Sequence, residues 1–119
     1  MTRQDQMRRL QQVAGLMFDS KLIDLRAAAR AMQETRDHLA DLEARPADPA
    51  GLPQIALIVA ALHYDRWADA RRAELNLTLA RQTATWLDAQ GAARLAFGKT
   101  QAVAAVTAKL RAALPRLPP

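Results

Sequence analysis

The sequence predicts an all-α protein, an antiparallel two-helix coiled-coil hairpin in which the second helix is the longer one. Three observations lead to this fold class. Two long stretches of helix-forming residues place apolar side chains at helical spacing, and a corner rich in Pro and Gly separates them. Ala and Leu dominate the apolar half of the composition, and aromatic residues make up only 4%. Residues 1–119 are therefore expected to form one helical-hairpin domain.

The first predicted helix covers residues 5–45, where no proline occurs. Thr2 and Asp5 stand three residues apart and suit a capping pair at its start. One stripe of a helix carries its apolar residues. They are Met7, Leu10, Ala14, Met17, Leu22, Leu25, Ala29, Met32, Leu39 and Leu42.

The predicted corner is "RPADPAGLP", and it separates the helices at residues 46–53. Pro46 disfavours helical geometry for Arg45, and Pro49 repeats the block. Gly51 can adopt a positive φ, and Pro53 suits the first turn of a new helix. A linker between two domains is the weaker interpretation, because neither side of the corner contains a self-sufficient domain.

The second predicted helix covers residues 54–113. Its apolar line is Ile58, Leu62, Trp67, Leu75, Leu79, Trp86, Ala93, Phe97, Val103, Val106 and Leu110, and Pro115, Pro118 and Pro119 end it. Gly91 and Gly98 each cost roughly 1 kcal/mol relative to alanine without forcing a break. The alternative is a break near Gly91, which would fold the last segment back as the third helix of a three-helix bundle.

Apolar residues of the two helices match when the residue numbers of each pair sum to about 99 or 100. Leu39 then faces Leu62, and Met32 faces Trp67. In this register the first helix has no residues left to pair beyond about residue 96 of the second helix. The end of the second helix is therefore expected to project as an apolar overhang without a partner in the chain.

The expected overhang also carries the surplus positive charge. The chain has a formal net charge of +5, and after residue 88 the basic residues Arg94, Lys99, Lys109, Arg111 and Arg116 stand without any Asp or Glu. An apolar stripe flanked by cations predicts a surface for an acidic partner, although a solvated tail explains the charge equally well. The predicted partner-binding residues are Arg94, Phe97, Lys99, Val103, Val106 and Leu110.

Catalytic and cofactor sites are not indicated. "GKT" at Gly98 to Thr100 resembles the end of a Walker A loop, but Ala93 stands where the first glycine should be, and the preceding residues are helical in period. His38 and its acidic neighbours lack the spacing of di-iron bundles. We therefore expect no enzyme activity, no metal and no cofactor.

Two other functions stay open. A sequence pI near 10.7 favours a basic helical protein associated with nucleic acid, although no known nucleic-acid-binding motif is present. A self-associating coiled-coil spacer is the third hypothesis. Charged residues interrupt the N-terminal segment, and the longest apolar run is far below the roughly 20 residues that span a bilayer, so a soluble cytoplasmic protein is expected.

The layout resembles the FliJ family of flagellar export proteins and its YscO-like relatives in type III secretion. The matching features are "LQQVAGLMFDSKLIDLRAAARAMQETRDHLADL", the corner with Pro and Gly, "RWADARRAELNLTLARQ" and "ARLAFGKTQAVAAVTAKL". The resemblance implies a cytoplasmic stalk without catalytic activity that sits at the export apparatus. Such a stalk is expected to bind the export ATPase and an export-gate membrane protein, with export chaperones as further candidate partners.

The same resemblance implies a gate-binding face on the second helix. By spacing from the tryptophan it maps to Ala73, Leu77, Ala80 and Ala84. Leu77 and Ala80 keep the residue types of the family, whereas Ala73 and Ala84 replace an aromatic residue and a histidine.

Overall fold

The computed structural model describes residues 2–44 and 50–114. Two α-helices form the fold, α1 at Arg3–Glu43 with 41 residues and α2 at Gln54–Ala113 with 60 residues. The all-α hairpin with a longer second helix is therefore confirmed. The alternative three-helix bundle is wrong, because α2 continues through Gly91 and Gly98 without a break. Neither described helix contains a segment that is long and apolar enough to cross a bilayer.

The predicted capping pair begins α1. The backbone amide of Asp5 donates to Thr2 Oγ1 over 3.2 Å, and the amide of Thr2 donates to Asp5 Oδ2 over 3.3 Å. These bonds satisfy helix-end amides that have no partner within the helix. Hydrogen bonds from Thr2, first from its side chain and then from its backbone, hold the pKa of Asp5 below its ordinary value of 3.8.

The described part of the corner, residues 50–53, contains a turn at Gly51. Its φ is +88°, the left-handed conformation that glycine was predicted to supply. The amide of Leu57 donates to the carbonyl of Pro53 over 3.1 Å, so Pro53 closes the first turn of α2. The remaining predicted breakers, all of them prolines, and two basic residues lie outside the described residues: Pro46, Pro49, Pro115, Pro118 and Pro119, with Arg45 and Arg116.

The chain divides into two compact units. Unit 1 contains Met1–Ala27 and Trp86–Pro119, and unit 2 contains Ala28–Thr85. In each unit a segment of α1 packs against a segment of α2 that runs the opposite way. Small residues form much of the contact, because five of the eight buried apolar residues of the described chain are alanines.

Unit 2 is held by a small apolar core and two polar contacts. Leu42, Ala68 and Leu75 are buried, and Leu39 and Tyr64 pack against them. The hydroxyl of Tyr64 donates to the carbonyl of Leu42 over 3.1 Å, close to the last residue of α1. The second polar contact joins Thr35 Oγ1 to Gln82 Oε1 over 2.7 Å.

Unit 1 has a thinner core. Ala14 of α1 and Ala93 and Ala96 of α2 are buried. The rings of Phe18 and Phe97 lie beside them with centroids 5.5 Å apart and planes tilted by 53°. Tilted rings at this separation attract each other beyond the area they bury.

Within each unit the buried and half-buried residues include positions that recur in steps of three, four or seven, the spacing of a coiled-coil seam. In unit 2 these positions are Ala28, Met32, Thr35, Leu39 and Leu42 on α1, with Ala68, Arg72, Leu75, Leu79 and Gln82 on α2. In unit 1 they are Met7, Ala14, Phe18 and Leu25 on α1, with Trp86, Ala89, Ala93, Ala96, Thr100, Val103, Thr107 and Leu110 on α2.

The predicted register between the helices is wrong. It would place Phe18 opposite Arg81 or Gln82, whereas Phe18 contacts Phe97. The shift is about 16 residues, or roughly 24 Å of helix. The predicted register pairs large apolar side chains of the two helices, and two of those, Leu62 and Trp67, are each 57% exposed. Alanine, threonine and glutamine fill many of the true seam positions, so the larger side chains gave a false match.

The expected C-terminal overhang is wrong for the same reason. Phe97 packs on Phe18, and Leu110 lines a cleft with Met7, so α1 accompanies α2 well beyond residue 96. Exposed apolar side chains cluster instead over the first three turns of α2. They are Ile55, Ile58, Val59 and Leu62, exposed by 77%, 54%, 46% and 57%.

Candidate partner-binding site

Positive charge is concentrated in unit 1. Its sequence holds ten Lys or Arg residues and four Asp or Glu residues, whereas unit 2 holds seven and eight. The first turns of α1 contribute Arg3, Arg8 and Arg9, and two of these, Arg3 and Arg8, line a cleft with Arg111 of α2. The surplus predicted for the last segment of the chain is thus joined by basic residues from the other helix.

The six predicted partner-binding residues do not share one face of α2. Val103 and Leu110 are half-buried at seam positions, and Phe97 is 48% exposed beside Phe18. Arg94 and Lys99 are exposed but lie five residues apart, on different sides of the helix. Contact of a partner with these six residues remains a prediction. The unpaired overhang from which it was inferred is absent, because α1 packs against this part of α2.

A narrower surface emerges from the exposed residues of α2 in unit 1. Leu95 is 65% exposed and Val106 is 47% exposed, and Lys99 lies between them. Their spacing of four and seven residues puts all three on one side of the helix. We call these three residues the outward face; it combines apolar area with a cation in the basic unit.

The four gate-binding candidates lie on α2 in unit 2. Ala73, Leu77, Ala80 and Ala84 are all exposed, with 55% of Leu77 accessible. Their steps of four, three and four residues align them along one side of the helix. This side is free of charge at all four positions and is available to a partner helix.

A cleft of ≈ 290 Å³ lies in unit 1 between the first turns of α1 and the last turns of α2. We call it the terminal cleft. Its lining residues are Arg3, Gln4, Met7, Arg8, Gln11, Thr107, Leu110, Arg111, Ala113 and Leu114. The lining thus combines three guanidinium groups with the apolar side chains of Met7, Leu110, Ala113 and Leu114, which we call the floor of the cleft.

The seam residues explain why the two helices leave a cleft here. Gln4 and Gln11 occupy the seam spacing before and after Met7, and both are exposed. Across from them Thr107 stands where an apolar side chain would close the contact, and its hydroxyl donates to the carbonyl of Val103 over 2.9 Å. Polar seam residues do not pack as tightly as leucine, so a groove remains.

The arginines of the terminal cleft have little internal compensation. Within residues 2–44 and 50–114, none of Arg3, Arg8 and Arg111 has a carboxylate within 4.0 Å. Asp5 is the nearest acid in sequence, and the charge of Arg8 contributes to lowering its pKa. Because no carboxylate of the described residues lies within 4.0 Å of them, the three guanidinium groups keep donors for an outside anion.

The segment that resembles the end of a phosphate-binding loop lies within a helix. Gly98, Lys99 and Thr100 are all inside α2, where backbone amides bond within the helix, and Thr100 Oγ1 donates to the carbonyl of Phe97 over 2.6 Å. No group of three His, Asp or Glu side chains among the described residues could hold a metal ion. Asp37, the acidic neighbour of His38, accepts a hydrogen bond of 2.9 Å from Gln33 Nε2 on its own helix.

Sequence reasoning missed most of the terminal cleft. The sequence analysis assigns Leu110 to a partner-binding surface, but it assigns Arg3, Arg8, Met7 and Leu114 to no site. A signal was present, because Arg3, Arg8 and Arg9 face only one acid in the first turns of α1. The signal becomes interpretable only with the correct register, which brings those turns beside the end of α2.

Comparison of the chain with family models, with curated proteins and with solved structures gave no match.

Proposed function

We propose that the protein is a non-catalytic helical adaptor that holds an acidic protein on unit 1 and a second protein on α2 in unit 2. The observation that supports it best is the charge distribution, ten basic against four acidic residues in unit 1 and near balance in unit 2. An acidic partner is attracted to the first unit alone. The outward face then offers that partner apolar area next to Lys99.

The resemblance to the FliJ family supplies the partners to test. We propose the export ATPase as the partner of unit 1 and the cytoplasmic domain of an export-gate membrane protein as the partner of Ala73, Leu77, Ala80 and Ala84. In this role the protein acts in the cytoplasm, at the export apparatus. The exposed, uncharged side of α2 at these four positions supports the second contact.

Two reciprocal variants test the proposal. We expect Lys99→Glu with Val106→Asp to lower the affinity for the ATPase about tenfold or more, while binding of the gate domain is retained. We expect Leu77→Asp with Ala80→Asp to do the reverse. All four positions lie outside the seam, so circular dichroism should report unchanged helicity. If both variants bind both partners as the parent does, this assignment of surfaces is wrong.

A nucleic-acid partner is the second candidate, and the same surplus of basic residues in unit 1 favours it. A protein that neutralises phosphates loses affinity steeply as salt is added. The logarithm of its binding constant falls by about 0.7 to 0.9 per unit of log salt concentration for each phosphate contacted. Titration of duplex and single-stranded oligonucleotides at low salt separates the two candidates. Absence of binding there removes nucleic acid from consideration.

A further inference from the structure

We propose that the terminal cleft binds an acidic peptide segment, with an apolar side chain on the floor and carboxylates on the arginines. The cleft shares no residue with the outward face or with the gate-binding candidates. The three arginines of the cleft are among the ten basic residues that support the proposed function, but the inference names a different contact, and peptide binding tests it separately from binding of the ATPase.

The size of the cleft fits part of a peptide. Its volume of ≈ 290 Å³ is close to the lower limit of about 300 Å³ for sites that take small molecules. The floor is formed by Met7, Leu110, Ala113 and Leu114, of which Leu114 is 50% exposed. Filling this space with a leucine or methionine side chain removes apolar surface from water on both partners.

The charge around the cleft favours an anionic ligand, and a carboxylate fits the arginines. Arg3, Arg8 and Arg111 each present a planar fork of donors that matches the two oxygens of a carboxylate. Since the described chain pairs none of the three with an acid within 4.0 Å, a ligand would displace water and not an internal partner. Three separate guanidinium groups favour a segment with two or more acidic residues.

Uncharged polar groups in the cleft favour a peptide over a lipid or a nucleic acid. The amides of Gln4 and Gln11 can donate to and accept from a peptide backbone, which lipid tails cannot use. Nucleobases stack mainly on aromatic side chains, and the described residues that line the cleft include none. An acidic peptide uses the apolar floor, the amides and the arginines together.

Fluorescence anisotropy of the full chain with labelled peptides tests the proposal. The probe is a twelve-residue peptide with six glutamates and three leucines, and its companion has serine in place of each leucine. We expect the leucine peptide to bind at least about tenfold more tightly than its companion, because only it fills the floor. Equal binding of the two peptides, or no binding of either at low salt, overturns the proposal.

Two triple variants with equal charge loss locate the site. We expect Arg3→Gln with Arg8→Gln and Arg111→Gln to weaken binding about tenfold or more, because charge-assisted bonds are lost. The matched control, Arg30→Gln with Arg36→Gln and Arg81→Gln, removes three exposed charges from unit 2 and should change affinity less than about threefold. Gln has nearly the helix propensity of Arg, so both variants should stay folded. Equal losses in both would mean general charge attraction and would refute the site.

Amide chemical shifts give a readout that does not depend on the variants. When the leucine peptide is added to the parent protein, we expect shifts at Met7, Gln11, Thr107 and Leu110. Shifts centred on unit 2, or tighter binding of vesicles with anionic lipid than of the peptide, would contradict a peptide site in the terminal cleft.

Discussion

Thr35 Oγ1 lies 2.7 Å from Gln82 Oε1 inside unit 2, and Thr35 is only 5% exposed. The same hydroxyl is 3.2 Å from the carbonyl of Ala31, although it has a single proton to donate. Both contacts are satisfied when the amide of Gln82 is turned, so that its NH₂ donates to Thr35 and the hydroxyl donates to Ala31. A polar pair at a seam position favours this register, because a shift of one helix would remove the partner of the half-buried Gln82 amide, while Thr35 would keep its bond to Ala31.

The first prediction concerns this pair. Thr35→Val should lower the free energy of unfolding by about 1–3 kcal/mol, because Gln82 loses its partner in a half-buried site. The check is urea denaturation followed by circular dichroism. Thr85→Val is the matched control, since Thr85 makes the same bond to the carbonyl four residues back but is exposed. Equal effects of the two changes would show that the contact with Gln82 contributes nothing.

The second prediction concerns the end of α1. The hydroxyl of Tyr64 donates to the carbonyl of Leu42 and lies 3.4 Å from that of Ala44, and no basic residue occupies the last turn of α1. Tyr64→Phe should cost about 1 kcal/mol and speed amide exchange in the last turn of α1. Exchange rates in the first turn of α1 serve as the internal control. Unchanged protection around Leu42 would contradict a role for Tyr64 as a cap.

The third prediction uses the ring pair of unit 1. Phe18→Leu and Phe97→Leu each keep an apolar side chain, so the double-mutant cycle isolates the ring contact at 5.5 Å. We expect a coupling energy of about 0.5–1.5 kcal/mol. A coupling near zero, measured by thermal or urea unfolding, would mean that the two rings do not meet in solution. The register of unit 1 would then need revision.

The fourth prediction is a dependence on pH. The pKa of Asp5 is lowered in the fold by Thr2, so its ionised form stabilises the start of α1. That stabilisation is present above the unfolded value of 3.8 and is lost as the pH falls through the lower folded value. An NMR titration of the Asp5 carboxyl should give a midpoint below 3.8, which Thr2→Val should raise. A midpoint at or above that value in the parent protein would rule out the capping pair.

The fifth prediction concerns the apolar start of α2. Residues 50–64 contain no Asp, Glu, Lys or Arg, and Ile55 and Val59 are 77% and 46% exposed. Such a surface favours self-association at high concentration. Ile55→Gln with Val59→Gln should shift the sedimentation profile toward the monomer. Leu16→Gln with Ile23→Gln removes exposed apolar residues from unit 1 and should have the smaller effect; a larger one would place the contact in unit 1.

Local sequence signals predicted the elements of this fold well. Thr2 and Asp5 indicate the start of α1, Gly51 and Pro53 indicate the corner, and the predicted bounds of α2 agree with Gln54–Ala113. For α1 the prediction of 5–45 differs by two residues at each end from Arg3–Glu43. These signals are local because caps, turns and helix propensity depend on residues a few positions apart.

The register and the cleft could not be predicted in the same way. Alanine is buried at some positions and exposed at others, and α2 carries apolar residues on more than one side, so several registers match apolar with apolar. The polar contact of Thr35 with Gln82 favours the observed register of unit 2, but matching large apolar residues cannot predict it. Because the terminal cleft needs Met7 beside Leu110, the error in register hid it.

The alanines of the seam have a consequence for the lifetime of the protein in a cell. Each buried alanine removes little more than a methyl group from water, while Leu16, Ile23 and Leu95 stay more than 60% exposed. Under the proposed function, this chain gains stability by mass action from a partner that binds only its folded state. We expect its abundance to follow that of the partner, with the excess removed by proteases. Pulse-chase measurement with and without the partner checks this, and equal half-lives would refute it.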